Sequence, residues 1–89
     1  MKKFTVAKQQ FCSQIDPRTG TPYVRSIHPY DETEYHWARK SPAGMWKVYR
    51  SGKQVAIWGK SLNLTEEQVA ERLLNLDKAE GLKRRGGIW

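Results

Sequence analysis

Apolar and polar positions follow the period of a strand most clearly between Tyr35 and Trp58. Three stretches, 35–40, 45–50 and 53–58, are rich in aromatic and β-branched residues and predict three short strands. Ser41-Pro42-Ala43-Gly44 separates the first pair, and Ser51-Gly52 separates the second as a two-residue hairpin loop would. This is an antiparallel meander. If residues 41–44 close the first hairpin, Lys40 faces Met45 and Trp37 faces Val48. If Ser51-Gly52 closes the second, Val48 faces Val55 and Trp46 faces Ile57. Side chains alternate between faces. One face then holds Trp37, Trp46, Val48, Val55 and Ile57, with Tyr35, Arg39, Arg50 and Lys53 at its rim. The other holds His36, Ala38, Lys40, Met45, Lys47, Tyr49, Gln54, Ala56 and Trp58.

The period then changes. Leu64-Thr65-Glu66-Glu67-Gln68-Val69 carries a full helix start: Thr65 as N-cap, Gln68 completing a capping box, and Leu64 placed to staple against Val69. Val69, Ala70, Leu73, Leu74 and Leu76 form an apolar stripe, and Gly81 marks the stop. The helix is predicted over 66–80, its stripe packed on the Trp46/Val48/Val55/Ile57 face. Upstream, Phe4, Val6 and Phe11 suggest a short first strand or arm. Asp16-Pro17-Arg18-Thr19-Gly20 reads as a turn, Tyr23–Ile27 as a further strand, and residues 28–34 as an acidic loop with Asp31, Glu32 and Glu34.

The expected class is therefore α+β: a three- or four-stranded antiparallel meander packed against one C-terminal helix, in a single small domain spanning 1–89. Residues 1–34 supply the N-terminal arm, strands and loop, 35–58 the meander, 65–81 the helix, and 82–89 a flexible basic tail. Eighty-nine residues support one modest core. Four Trp, four Tyr and two Phe compensate for an apolar fraction of 38%.

Charge adds what the pattern does not show. Sixteen Lys and Arg oppose nine Asp and Glu, for a net +7. The excess is segregated. Residues 39–60 hold six cations and no acid, whereas residues 65–80 hold five acids and two cations. A helix over one face leaves the positive charge on the other. Such a surface suits a polyanion, since lysines neutralise phosphates and rings stack on bases. The expected contacts are Lys40, Lys47, Tyr49 and Trp58 on the open sheet face, with Lys2, Lys3, Lys83, Arg84 and Arg85 at the termini. The leading expectation is a non-enzymatic protein that binds DNA or RNA. The alternative is a small inhibitor or accessory protein, of the kind phages and mobile elements use against a host or defence complex. It would bind through Trp58, Tyr49, Trp89 and Arg39, the residue types that dominate interface energetics.

Other chemistry finds little footing. Cys12 is the single cysteine, so no internal disulfide or cysteine-based zinc site forms, and a reducing, cytoplasmic compartment fits. His28 and His36, near the acidic loop, match no metal spacing and read as surface histidines. There is no phosphate-binding glycine loop, no signal-peptide core and no apolar run of membrane length. No catalytic residue, metal, cofactor, small-molecule substrate or membrane partner is expected.

The meander 35–58 and helix 66–80 together resemble plant AP2-type domains and the arm-binding domains of phage-type integrases, three-stranded sheets braced by a C-terminal helix. The echoes are Trp46, Gly52, Trp58-Gly59 and the helix start at Thr65. The resemblance covers about half the chain and implies that the sheet reads DNA. It carries no functional residue across, and the chain departs from it in its N-terminal third and in having fewer arginines on the open strands.

Overall fold

Turn chemistry sets the architecture. In the computed structural model, which describes residues 2–26 and 35–82, six strands form one antiparallel sheet in chain order. They are β1 (Lys2–Val6), β2 (Gln9–Ile15), β3 (Pro22–Ser26), β4 (Trp37–Lys40), β5 (Trp46–Arg50) and β6 (Lys53–Trp58). Ala7-Lys8 and Ser51-Gly52 close tight two-residue hairpins, each with positive φ at both positions. The Asp16–Gly20 turn holds as expected. Asp16 accepts from the Arg18 backbone N–H at 2.9 Å, and Gly20 takes the left-handed conformation.

The expected strand number, three or four, is too low. The N-terminal third lies edge-on to the meander and extends the sheet by three strands. Ala-Lys is a poor turn signal, lacking the Asn or Gly that left-handed turn positions favour, so the first hairpin was not legible.

One helix, α1 (Glu66–Ala79), packs across β1, β3 and β4. Its start is the expected capping box: the Thr65 side chain accepts from the Gln68 N–H at 3.2 Å, and Gln68 Oε1 accepts from the Thr65 N–H at 2.8 Å. Its end is a Schellman turn through Gly81. Gly81 N–H donates to the Lys78 carbonyl and Leu82 N–H to the Asp77 carbonyl. Phe11, Val24, Ala38, Trp46 and Val48 of the sheet meet Val69, Ala70 and Leu73 of the helix in the core. Burying a side chain of the Val, Leu or Phe kind is worth roughly 1.5–3 kcal/mol, so these residues carry most of the cohesion.

Two local insertions overturn the expected register. Ser41 N–H donates to the Met45 carbonyl, and Gly44 N–H to the Ser41 carbonyl, with Gly44 at φ +91°. That is a turn followed by a left-handed glycine bulge. Lys40 consequently pairs with Trp46 and Ala38 with Val48, instead of Met45 and Lys47. In β6 a second bulge makes Val55 an extra residue: Tyr49 pairs with Gln54, and Val48 with Ala56. The helix side of the sheet therefore holds Ala38, Lys40, Trp46, Val48, Ala56 and Trp58. Trp37, Arg39 and Ile57, expected on that side, lie on the other.

His36, expected at the surface, is buried at 2% exposure. Its Nδ1 donates to Asp77 Oδ1 at 2.7 Å, and its backbone N–H reaches the same oxygen at 3.3 Å. Glu80 lies 3.7 Å from His36 Nε2 and 3.3 Å from Arg50 Nε. This polar contact ties the last turn of α1 to the start of β4.

Candidate nucleic-acid interface

The sheet face away from α1 is built by alternation. Residues paired across neighbouring strands share a face. One row runs Gln14–Tyr23–Arg39–Lys47–Ile57 across five strands. A second row contains Lys3, Cys12 and Arg25 at one side, where Cys12 and the Arg25 Nε are buried, and Trp37, Tyr49 and Gln54 at the other. Val24 between Tyr23 and Arg25, and Ala38 between Trp37 and Arg39, point into the core. The same small apolar residues that fill the core thus hold the aromatic and cationic residues outward.

The rings on this face touch one another. Trp37 and Tyr49 are stacked, with centroids 4.8 Å apart and planes 22° from parallel. Tyr23 meets Trp37 edge-on at 6.5 Å. The Arg39 guanidinium lies 5.3 Å from the Tyr49 ring centre and donates to the Tyr49 hydroxyl at 2.9 Å. The Tyr23 hydroxyl donates to Gln14 Oε1 at 2.5 Å. Tyr23, Trp37, Arg39, Lys47 and Tyr49 are all half-buried. Mutual contact fixes their orientation, so little side-chain entropy remains to be lost on binding.

Electrostatics separate the two sides of the molecule. Among the described positions of the open face, Lys3, Arg25, Arg39 and Lys47 are cations, and none is an acid. The acids Glu66, Glu67, Glu71, Asp77 and Glu80 all belong to α1 and its last turn. At the end of β2, Asp16 joins Pro17, Arg18, Tyr23, Trp37 and Arg39 in lining a cleft of about 280 Å³.

The expected contact residues divide. Lys47, Tyr49 and Lys3 stand on the open face. Lys40 and Trp58 do not: Lys40 Nζ lies 5.9 Å above the Trp46 ring, and Trp58 packs at the edge of the core beneath the Arg72 guanidinium, 5.5 Å away. Lys2 is directed to the helix, 2.8 Å from Glu67 and 3.9 Å from Glu66. The hydrogen bond holds the Glu67 carboxyl below, and the Lys2 ammonium above, their ordinary values. Lys83, Arg84, Arg85 and Trp89 lie outside the described residues, as do His28 and the acidic loop. Sequence reasoning missed Tyr23, Arg25, Trp37 and Arg39 as members of this face. The flanking of Val24 by Tyr23 and Arg25 was the available signal.

Among the described residues no group of three His, Cys, Asp or Glu gathers as a metal-ligand set, and no helix is long and apolar enough to cross a membrane. Neither family models, curated proteins nor solved structures yield a match to this chain.

Proposed function

We propose that the protein binds nucleic acid through the open face of its sheet, without catalysing a reaction. The observation that carries this reading is the joined surface of Tyr23, Trp37, Arg39, Lys47 and Tyr49, with two cations among its aromatic rings and the Asp16 carboxylate at its margin. Cations at strand spacing meet successive phosphates, and rings between them offer area to bases or sugars. The acidic helix on the opposite side orients the molecule, because it repels the same polyanion.

Fluorescence polarisation with labelled oligonucleotides tests the reading through two charge reversals. Lys47→Glu alters the open face, and Lys40→Glu alters the helix side at a similar distance along the sheet. Lys47→Glu should weaken binding by about tenfold, a contact of roughly 1.4 kcal/mol, whereas Lys40→Glu should change it little. Equal losses in two folded variants would reduce the binding to diffuse charge attraction and sink the assignment of the face.

A second reading, an accessory or inhibitor protein that binds another protein, draws on a different place. Trp58, Leu64, Gln68, Glu71, Arg72, Asn75 and Leu76 line a cleft of about 530 Å³ beside α1, and it presents the Trp–Arg pair common at interface centres. Failure of every oligonucleotide to bind at low salt would favour this reading over the first.

A further inference from the structure

We infer that the open face selects single-stranded over double-stranded nucleic acid, with one unpaired base seated in the cleft between Tyr23, Trp37 and Arg39. This rests on the nucleic-acid reading above and adds the form of the ligand.

Three observations carry it. The first is the position of the rings. Neighbouring strands lie about 4.8 Å apart, so the patch on β3–β5 sits roughly 10 Å in from the β1 edge and about 5 Å in from the β6 edge. The major groove is about 12 Å wide and admits a helix or a two-stranded ribbon. A patch flanked by further strands on both sides does not enter it. Broad sheets that read the minor groove instead wedge apolar side chains between base steps. Here Trp37 and Tyr49 are stacked on each other and half-buried, and thus are not free to act as wedges.

The second observation is the cleft. Its volume of about 280 Å³ is bounded by two rings, a guanidinium and a carboxylate from Tyr23, Trp37, Arg39 and Asp16. The Tyr23 and Trp37 rings stand at 78° to each other, so a flat heterocycle can lie against one ring with its edge toward the other. Arg39 and Asp16 offer a donor and an acceptor for the hydrogen-bonding edge of a base. That edge is available only when the base is unpaired.

The third is the small number of cations. Lys3, Arg39 and Lys47 stand on β1, β4 and β5 and so spread across five strands of the sheet, whereas Arg25, between them on β3, has its Nε buried. They can follow one flexible backbone across the strands, while stacking supplies the remaining affinity.

The test compares one labelled strand of roughly 12 nucleotides, within the site sizes of sheet-based binders, as DNA, as RNA and as the DNA duplex of the same sequence. Polarisation is read over a salt series. The expected result is at least about tenfold tighter binding of one or both single strands than of the duplex. The logarithm of the affinity should fall with log salt at a slope of about −2, from three phosphate contacts at roughly 0.7 each. Trp37→Ala should cost roughly ten- to hundredfold for the single strand. Arg39→Gln, which removes the charge and leaves the core untouched, serves the same purpose if the tryptophan variant does not fold. Duplex binding equal to or tighter than single-strand binding overturns this inference and leaves the nucleic-acid reading standing. No binding of any of the three at low salt overturns both.

Discussion

Asp77 stands in the last turn of α1, where a carboxylate opposes the helix dipole. Its place there is explained by His36, whose ring and backbone N–H groups both donate to one of its oxygens in a site that excludes water. Asp77→Ala improves helix propensity slightly yet leaves two buried donors without that acceptor. We expect a net loss of about 2–4 kcal/mol, a large fraction of the stability of a domain this size. Urea unfolding followed by circular dichroism measures it, and an unchanged midpoint would show that the pair contributes no net stability. Half of this contact was legible. Asp77 follows Leu73 by four residues and so continues the buried stripe of Val69 and Leu73, but nothing in the sequence connects it to a histidine 41 residues earlier. The Lys2–Glu67 pair is the opposite case, exposed and screened, and it contributes little despite its short distance. Its support is present above the ordinary carboxylate range and fades as pH falls through the lowered value of Glu67.

At the scale of elements, legibility followed local chemistry. The capping box, the glycine stop and the Ser51-Gly52 turn each declare themselves within a few residues, and all three are present. The two bulges do not. Gly44 was visible as a turn residue, but its one-residue shift of the β4–β5 register depends on hydrogen bonds that the sequence does not display. A shift of one residue exchanges the faces of a strand. That is why Trp37 and Arg39 were assigned to the wrong side while Trp46 and Val48 were assigned correctly. Val55 offers a direct check. It is 51% exposed and is the unpaired residue of its bulge. Its deletion would bring Ala56 next to Gln54, still opposite Val48, with Trp58 still opposite Trp46. The deletion variant should therefore fold with the same helix side, and its thermal midpoint should fall by no more than about 5 °C, equivalent to roughly 1 kcal/mol. Loss of cooperative unfolding would mean that the bend of the bulge is itself required.

Across the whole molecule, one layer of helix and one layer of sheet give two sides of opposite character. The described tryptophans are divided between them. Trp37 lies on the open face, whereas Trp46 and Trp58 lie on the helix side. Bound nucleic acid should therefore quench Trp37 and spare the other two. Trp37→Phe, which keeps a ring against Tyr49, should remove most of the fluorescence response to a saturating oligonucleotide. A response of undiminished size would place the ligand elsewhere. Strand order in space also equals strand order in the chain. Each strand pairs with the one before it in the chain, so closure entropy stays low and contacts are local for a sheet protein. The helix differs, because it must return to β1 across 65 residues, the separation of Lys2 and Glu67. This topology favours a folding sequence in which the hairpins assemble first and the apolar side of the sheet waits for its cover. Aggregation pressure is then greatest in that interval, and the strong start signal at Thr65 shortens it by having the helix ready to dock.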